Sequence, residues 1–225
     1  MKAIILAAGY ATRLYPQTIN KPKALLEYKG RHIIDYIIED LQNIHLKEII
    51  IVSNHKFFEQ FKDYILSKKL EITLLDDGST NPNNRLGALC DVLYALDQLK
   101  IDDDILIMAS DNLLDFSIAE FINYFKIINH SSIMAYEEFD IENLRKTGQA
   151  IISNEDVLDF KEKSYKVISN YAVPPFYIFK KEDVIKLKNL KGSFDSLGDI
   201  IEKLVHVIHF KCFYMRGKRI NLGEK

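Results

Sequence analysis

The first half of the chain alternates between short apolar runs and longer segments with helical periodicity, and this alternation constrains the fold strongly. Apolar runs typical of strands buried on both faces occur at residues 3–6, 49–52, 72–75 and 105–109. Apolar residues recur at helical spacing between these runs, at residues 33–44, 57–65 and 86–99. The pattern predicts a doubly wound α/β fold with a mostly parallel central sheet and right-handed crossovers.

The second half of the chain has a different texture. Shorter strands, with two helical stretches among them, are expected near residues 132–136, 149–152, 157–161, 171–179, 207–213 and 218–222. Pro174 and Pro175 remove two successive backbone donors, so the strand there must be bulged or lie at an edge. We therefore expect one domain over residues 1–225, in which residues 131–225 add a smaller mixed β-sheet to residues 1–130.

Composition excludes several classes of protein. The 225 residues include 30 basic and 32 acidic side chains, so no overall basicity points to nucleic acid and any anion site must be local. Cys90 and Cys212 lack the paired spacing of a zinc or redox site, and we interpret both as reduced core thiols. The sequence shows neither a signal peptide nor a run of eighteen apolar residues, so we expect a cytoplasmic protein without membrane contact.

A long loop follows the first predicted strand, where ligands of open parallel sheets bind. Residues 6–30 combine small residues with four cations in quick succession, which are Arg13, Lys21, Lys23 and Lys29. Gly9 lets backbone amides approach a ligand closely, and Thr12 and Arg13 can donate hydrogen bonds to phosphate oxygens. The loop therefore predicts a phosphate site.

An acidic residue ends the last strand of the first half. Asp111 follows the apolar run 105–109, and a carboxylate beside a phosphate-binding loop suits Mg²⁺, which is commonly shared with substrate phosphates. Taken singly, Gly9 also fits a plain turn, Asp111 a helix cap, and the cations a solvated surface. Their combination favours phosphoryl or nucleotidyl transfer.

The loop sequence LAAGYATRLYPQTINKPKALLEYKG resembles the signature loop of the sugar-1-phosphate nucleotidylyltransferases. The matching residues are Leu6, Ala7, Ala8, Gly9, Thr12, Arg13, Leu14, Pro16, Thr18, Pro22, Lys23, Leu25 and Leu26. The resemblance implies a GT-A-like, Rossmann-like nucleotidyltransferase fold, and the short length resembles members that consist of the catalytic domain alone. It also implies transfer of a nucleoside monophosphate from a nucleoside triphosphate to a phosphorylated acceptor, here expected to be a sugar 1-phosphate, with pyrophosphate and an NDP-sugar as products.

The resemblance assigns roles to residues along most of the chain. Arg13 and Lys23 would be catalytic, and the segments SDNLLDF and FKEK resemble the family's metal-binding strand end and sugar-site Glu-Lys pair. The nucleotide would meet Ala8, Gly9, Ala11, Thr12 and Gly87. The acceptor would meet Gly148, Glu162 and Lys163, and Mg²⁺ would bind Asp111 and the residue at position 221, Asn221. A solvated strand end is the plainer interpretation of Glu162 and Lys163.

Three positions depart from the family pattern. Ala11 replaces a glycine and loses easy access to positive φ, and Ser110 replaces the glycine before the metal aspartate. Asn221 stands where the family has a second metal carboxylate, and an amide lacks the negative charge of a strong magnesium ligand. Metal binding is therefore expected to be weak or shared differently.

These departures leave alternatives open. One is a regulatory module that binds a nucleotide or sugar phosphate in a degenerate site, although Arg13, Lys23 and Asp111 are retained. Another is a cytidylyltransferase for a non-sugar phosphoalcohol such as phosphocholine. A glycosyltransferase of related architecture would be expected to carry an Asp-x-Asp pair, whereas residues 111–113 here read Asp-Asn-Leu. The oligomeric state is left open by the sequence.

Overall fold

A computed structural model describes residues 1–192, 194–217 and 219–221, with only the backbone described at Arg219 and Asn221. The strands are β1 (Lys2–Leu6), β2 (Glu27–Tyr28), β3 (Arg31–His32), β4 (Glu48–Ser53), β5 (Thr73–Asp76), β6 (Ile105–Ala109), β7 (Asn112–Leu114), β8 (Ser132–Glu137), β9 (Gly148–Ser153), β10 (Asp156–Glu162), β11 (Tyr171–Val173), β12 (Phe176–Phe179), β13 (Lys211–Tyr214) and β14 (Arg219–Asn221). The helices are α1 (Ile33–Gln42), α2 (Phe58–Lys68), α3 (Ala88–Gln98), α4 (Ala119–Ile128), α5 (Ile141–Arg145), α6 (Lys181–Lys188) and α7 (Leu197–Leu204).

The predicted parallel core is confirmed. β1 lies between β4 and β6 and is parallel to both, and β5 continues the parallel arrangement beyond β4. Side chains alternate between the faces of β1, so Ile4 belongs to the core cluster that includes residues of α3, α6 and α7, while Ile5 belongs to the cluster that includes residues of α1, α2 and α4. Both isoleucines are fully buried, and each contributes about 1.5–3 kcal/mol of hydrophobic stabilisation. Helices on both faces of a parallel sheet are the doubly wound arrangement.

The strands of the second half extend the same sheet and do not form a sheet of their own. The described residues give one ten-stranded sheet in the order β11-β9-β10-β13-β8-β12-β6-β1-β4-β5, with short ladders between β2 and β3 and between β7 and β14. β12 pairs antiparallel with β6 and covers its otherwise free edge. This pairing shows that the expectation of a separate smaller sheet was wrong. Without β12, the edge of the buried strand β6 would have unpaired backbone N–H and C=O groups.

Two expected strands have different bounds. The predicted strand 171–179 is interrupted at Pro174 and Pro175, so that β11 pairs with β8 and β9 whereas β12 pairs with β6 and β8. The prolines lack the backbone donors that a continuous ladder requires. β13 begins only at Lys211, after α7. α4 was not among the expected elements, although its buried Phe121 and Phe125 follow helical spacing.

The two cysteines differ in burial. Cys212 is fully buried in β13, and burial raises the pKa of its thiol to about 12, as expected for a core thiol. Cys90 is only partly buried on α3, where its Sγ lies 3.9 Å from the carbonyl of Gly192. The expectation of a core position was therefore wrong for Cys90, because this position of α3 lies against the loop at Gly192 and is not enclosed by the core. Among the described residues, no helix combines the length and apolar character that crossing a membrane requires.

Two carboxyl groups are buried together where β5 leads towards α3. Asp77 accepts hydrogen bonds from the backbone N–H of Ser79 at 2.6 Å and from its hydroxyl at 3.0 Å. Burial, the nearby charge of Asp77 and a hydrogen bond with the Asp77 carboxyl together raise the pKa of Asp91 to about 8. Burial also raises the pKa of Asp77. Asp91 is therefore protonated at neutral pH and shares its proton with Asp77.

This pair predicts a pH-dependent stability. The folded protein keeps a proton on Asp91 that the unfolded chain releases above its ordinary pKa, so stability falls as pH rises from about 4 to 8, by up to about 1.4 kcal/mol per pH unit. Asp91→Asn removes this ionisation and keeps a hydrogen-bond donor. The free energy of unfolding of Asp91→Asn relative to wild type should therefore increase between pH 5 and pH 8 in urea titrations.

The exposed Asp97 on the same helix provides the control, because Asp97→Asn should change stability equally at both pH values. A constant difference between Asp91→Asn and wild type across this range would contradict the shared proton.

Candidate active site

The predicted site residues lie on segments that follow the carboxyl ends of sheet strands. The loop of residues 7–26 follows β1, Asp111 lies two residues beyond β6, and Glu162 is the last residue of β10. The carboxyl ends of the parallel strands β1 and β6 meet at one edge of the sheet, which is where open α/β sheets bind ligands, whereas β10 pairs antiparallel with its neighbours. The described contacts show which of these residues come together.

The start of the loop is held by a buried amide that the sequence analysis did not single out. Asn54, fully buried after β4, donates from Nδ2 to the carbonyl of Ala8 at 2.9 Å. The next residue, Gly9, is exposed, and a Cβ built on it would meet no atom within 4 Å. The backbone at Ala8 and Gly9 is thus fixed on the protein side and open on the other side, as a phosphate-binding backbone requires. A buried polar residue directly after a strand was the available signal for Asn54.

Ala11 adopts the left-handed conformation although it is not a glycine. Its φ and ψ are 47° and 45°, and its carbonyl accepts a hydrogen bond from the buried Thr18 hydroxyl at 2.8 Å. Ala11 therefore holds a conformation that favours glycine, and the strain remains in the folded state. Thr12 and Arg13 follow in a 3₁₀ turn with exposed side chains. Within the described part of the chain, the Arg13 guanidinium has no ion-pair partner.

Lys23 and Asp111 form an ion pair. Pro22 precedes a 3₁₀ turn in which Ala24 and Leu25 are buried, and this anchoring directs the Lys23 side chain towards the end of β6. The Lys23 Nζ lies 2.5 Å from Asp111 Oδ2, and the two side chains are 11% and 32% exposed. The structure thus brings together the predicted catalytic lysine and the predicted metal aspartate, which are 88 residues apart in the sequence. The second oxygen of Asp111 accepts from Asn112 Nδ2 at 2.7 Å.

The backbone of Asn221 lies beside this pair. β14 runs antiparallel to β7, and Asn221 stands opposite Asn112, the residue after Asp111. The side chain of Asn221 lies outside what the structure describes, so its role as a metal ligand stays a prediction.

Gly87 is the N-cap of α3 and has a φ of 86°, a value that favours glycine. The preceding loop is tied to the segment before α7 by Arg85, which donates to both oxygens of Asp195 at 2.6 and 3.2 Å. No local sequence pattern indicates this pair, because its two residues are 110 positions apart. The predicted nucleobase loop therefore contacts the segment before α7, whose Ser196 hydrogen-bonds Lys163.

The acceptor-side carboxylate is buried. Glu162 stands opposite Gly148 in the β9–β10 ladder, and its side chain is only 10% exposed. Burial raises the pKa of Glu162, and the Lys163 ammonium, 3.2 Å from its Oε1, opposes that rise. The interpretation of a solvated strand end was therefore wrong for Glu162, whereas Lys163 is about half exposed. Lys163 adopts a φ of 45° and hydrogen-bonds the Ser196 hydroxyl.

Packing explains the glycine at position 148. A Cβ on Gly148 would lie 2.5 Å from Cζ of the buried Phe160 ring and 3.1 Å from Glu162 Oε2. The glycine therefore permits both the aromatic packing of β10 and the position of the carboxylate. Contact of Gly148 with an acceptor stays a prediction.

The strain at Ala11 can be measured. Ala11→Gly removes the left-handed strain from the folded state, but it also makes the unfolded chain more flexible, which opposes the gain. We therefore expect the free energy of unfolding to rise by up to about 1 kcal/mol. Ala11→Val adds β-branching at positive φ and should lower stability by more than about 1 kcal/mol. Unfolding in urea measures both changes. Ala119→Gly at the first position of α4 is the control, and it should lower stability slightly because glycine has a freer unfolded chain and Ala119 carries no left-handed strain. An equal loss in Ala11→Gly would contradict the strain.

The chain is similar in sequence to known proteins. Residues 2–218 match the family described as nucleotidyl transferase. Mannose-1-phosphate guanylyltransferase catalytic subunit beta of Dictyostelium discoideum is 25% identical over 228 residues, which are 100% of this chain and 61% of that protein. The bifunctional protein GlmU of Methanococcus vannielii is 30% identical over 229 residues, 100% of this chain and 52% of that protein. The chain thus spans little more than half the length of these curated relatives.

Solved structures share the fold. A Bacillus anthracis structure provisionally named glucose-1-phosphate thymidylyltransferase superposes with a TM-score of 0.84 at 21% identity, covering 99% of this chain and 90% of that one. UDP-glucose pyrophosphorylase complexed with UDP-glucose gives a TM-score of 0.80 at 18% identity, covering 99% and 93%. With the family match over nearly the whole sequence, these findings show that the chain belongs to the nucleotidyl transferase family.

Proposed function

We propose that this protein transfers a nucleoside monophosphate from a nucleoside triphosphate to a sugar 1-phosphate, releasing pyrophosphate and forming an NDP-sugar. The observation that carries the proposal is the Lys23–Asp111 pair at the end of β6, which joins the phosphate-binding loop to a carboxylate suited to a metal. Relatives named mannose-1-phosphate guanylyltransferase and UDP-glucose pyrophosphorylase support a sugar 1-phosphate as the acceptor.

The reaction places specific demands on the site. An acceptor phosphate oxygen attacks the α-phosphorus, a new phosphorus–oxygen bond forms, and the bond to the bridging oxygen of the leaving pyrophosphate breaks. The attacking oxygen is already anionic, so no general base is needed, and catalysis consists of positioning and charge stabilisation. Cations close to the α-phosphate are therefore the groups to identify.

Two cations of the loop meet this demand. Arg13 is exposed and without an ion-pair partner in the described part of the chain, so its guanidinium is available to the triphosphate. Lys23 is partly buried and directed to the end of β6, where its ammonium would neutralise the α-phosphate and the incoming acceptor phosphate. The open backbone at Ala8, Gly9 and Ala11 and the Thr12 side chain would bind the nucleotide, and Gly87 would contact its base.

The residues at the end of β6 fit a magnesium ion. Asp111 is accessible and already attracts a cation, and the register of β14 brings the backbone of Asn221 alongside. No cluster of three or more His, Cys, Asp or Glu occurs among the described residues, so protein ligands alone would not enclose the ion. Mg²⁺ commonly binds through one or two protein groups with water and substrate phosphates completing the shell. A bound ion would neutralise charge on the phosphates.

The acceptor side is proposed to involve the end of β10. The buried Glu162 carboxylate would accept hydrogen bonds from acceptor hydroxyls, and Lys163 would bind the acceptor phosphate beside Gly148. A buried carboxylate selects strongly for ligands that donate to it, because leaving it unpaired on binding is costly.

The test of this function is pyrophosphate release from each nucleoside triphosphate against a panel of sugar 1-phosphates and phosphoalcohols, with magnesium. We expect turnover with at least one sugar 1-phosphate. Turnover with phosphocholine alone would replace the acceptor class, and the absence of turnover with tight nucleotide or sugar-phosphate binding would indicate a regulatory module.

Arg13→Ala and Lys23→Ala should each lower turnover about a hundredfold, because a preorganised charge acting on the transition state contributes on the order of 3 kcal/mol. Neither side chain lies in the core, so the free energy of unfolding should change far less. Steady-state kinetics and urea unfolding measure the two effects. Lys21→Ala on the same loop is the control and should keep near-normal turnover. Near-normal turnover in either test variant would remove that residue from its role.

The metal assignment predicts that chelation abolishes activity and that Mg²⁺ or Mn²⁺ restores it. Asp111→Ala should abolish activity at every concentration of added metal.

Asn221→Asp adds a carboxylate, and the apparent magnesium requirement should fall by about tenfold, or roughly 1.4 kcal/mol. Titration of Mn²⁺ followed by paramagnetic resonance measures binding separately from turnover. Chelator-resistant activity contradicts the metal, and superimposable titrations of wild type and Asn221→Asp remove position 221 from the site.

A further inference from the structure

The first turn of α7 touches the buried carboxylate of Glu162 at a glycine. A Cβ built on Gly198 would lie 1.9 Å from Glu162 Oε2 and 2.5 Å from its Cδ, too close for any real Cβ. Gly198 is not among the residues with positive φ, so its backbone conformation is open to alanine and only the lack of space demands glycine. The Glu162 side chain therefore occupies the volume that a side chain on α7 would fill.

A second glycine faces the same carboxylate from the sheet. A Cβ on Gly148 of β9 would lie 3.1 Å from Glu162 Oε2. Glu162 thus lies between two backbones that carry no side chain, one from β9 and one from α7. This enclosure accounts for the burial of a carboxylate that the sequence pattern had left open to solvent.

Other residues of α7 fix the end of β10 as well. Glu202 Oε2 accepts the backbone N–H of Glu162 at 2.9 Å, and its Oε1 accepts from Lys161 Nζ at 3.0 Å. β13 pairs with β10 only at Asp156, the first residue of that strand. Glu202 therefore holds the other end of β10, which β13 does not reach. Ser196, the N-cap of α7, hydrogen-bonds Lys163. α7 therefore holds both proposed acceptor residues.

We propose that Gly198 is a positioning residue for acceptor binding, because only a residue without a side chain lets the Glu162 carboxylate lie against α7 in the orientation that meets the acceptor. This inference rests on the proposed function, in which Glu162 accepts hydrogen bonds from the acceptor. Gly198 itself touches Glu162 and is not required to touch the ligand.

An ordinary helical glycine predicts the opposite behaviour. Replacing glycine by alanine at a compatible helical position usually stabilises a protein by about 0.4–1 kcal/mol and leaves binding unchanged. At Gly198 the added methyl group must displace the Glu162 carboxylate or the first turn of α7. Either displacement changes the position of the carboxylate relative to the acceptor.

The experiment is a double-mutant cycle of Gly198→Ala and Glu162→Ala, measured by acceptor kinetics and by urea unfolding. Gly198→Ala should raise the KM for the acceptor at least tenfold, with little change in the KM for the nucleotide or in kcat. In the Glu162→Ala background the same change should leave the acceptor KM unaltered, because the displaced group is gone. Lys203→Ala, on the exposed side of α7, should match wild type.

Stability supplies a readout that does not depend on turnover. Gly198→Ala should lower the stability of the wild-type protein but leave stability unchanged or raised in the Glu162→Ala background. If the single variant folds poorly, recovery of folding in the double variant still tests the contact. An unchanged acceptor KM in Gly198→Ala, or additive effects in the cycle, would overturn the positioning role. A wild-type protein without turnover on any acceptor would refute the proposed function itself, and the role of Gly198 would then fall with it.

Discussion

The burial of β1 on both faces is the constraint from which the rest of the molecule follows. Because Ala3, Ile4 and Ile5 of β1 are fully buried and the strand has parallel neighbours on both sides, its backbone groups are paired and these side chains are covered by helices. Parallel neighbours force the chain to leave β1, β4 and β6 at the same edge. The loop after β1 and Asp111 are therefore brought together by strand direction, although they are far apart in the sequence.

The two charged groups at this edge can exchange their ion pair for contacts with a bound ligand. The ion pair of Lys23 and Asp111 satisfies both groups while each remains partly shielded from water. Removal of either partner would leave the other without its ion-pair partner, and access to water keeps this penalty modest for groups that are only partly buried. Binding of a metal with anionic phosphates can satisfy both groups at once, since the carboxylate exchanges an ammonium for a dication and the ammonium exchanges a carboxylate for a phosphate.

The parallel core and the cluster at the end of β6 could be predicted from the sequence because both depend on local patterns. Apolar runs specify buried strands, and the spacing of Arg13, Lys23 and Asp111 after such strands specifies an edge. The pairing of β12 with β6 could not be predicted, because any uncovered edge accepts an apolar strand of suitable length. Ala11 shows a similar limit, since the fold imposed a left-handed conformation against the residue's own preference. The burial of Glu162 depends on two glycines distant in sequence, Gly148 and Gly198, and no local pattern connects them.

The central claim is that the nucleotide is cleaved at its α-phosphorus and that the acceptor takes the nucleoside monophosphate. The direct measurement follows radiolabel from a nucleoside triphosphate labelled at the α-phosphorus, and from one labelled at the γ-phosphorus, in the presence of the active acceptor and magnesium. For nucleotidyl transfer, the α-label should appear in a product joined to the acceptor and the γ-label in pyrophosphate. Transfer of the γ-label to the acceptor, or its release as inorganic phosphate, would contradict it.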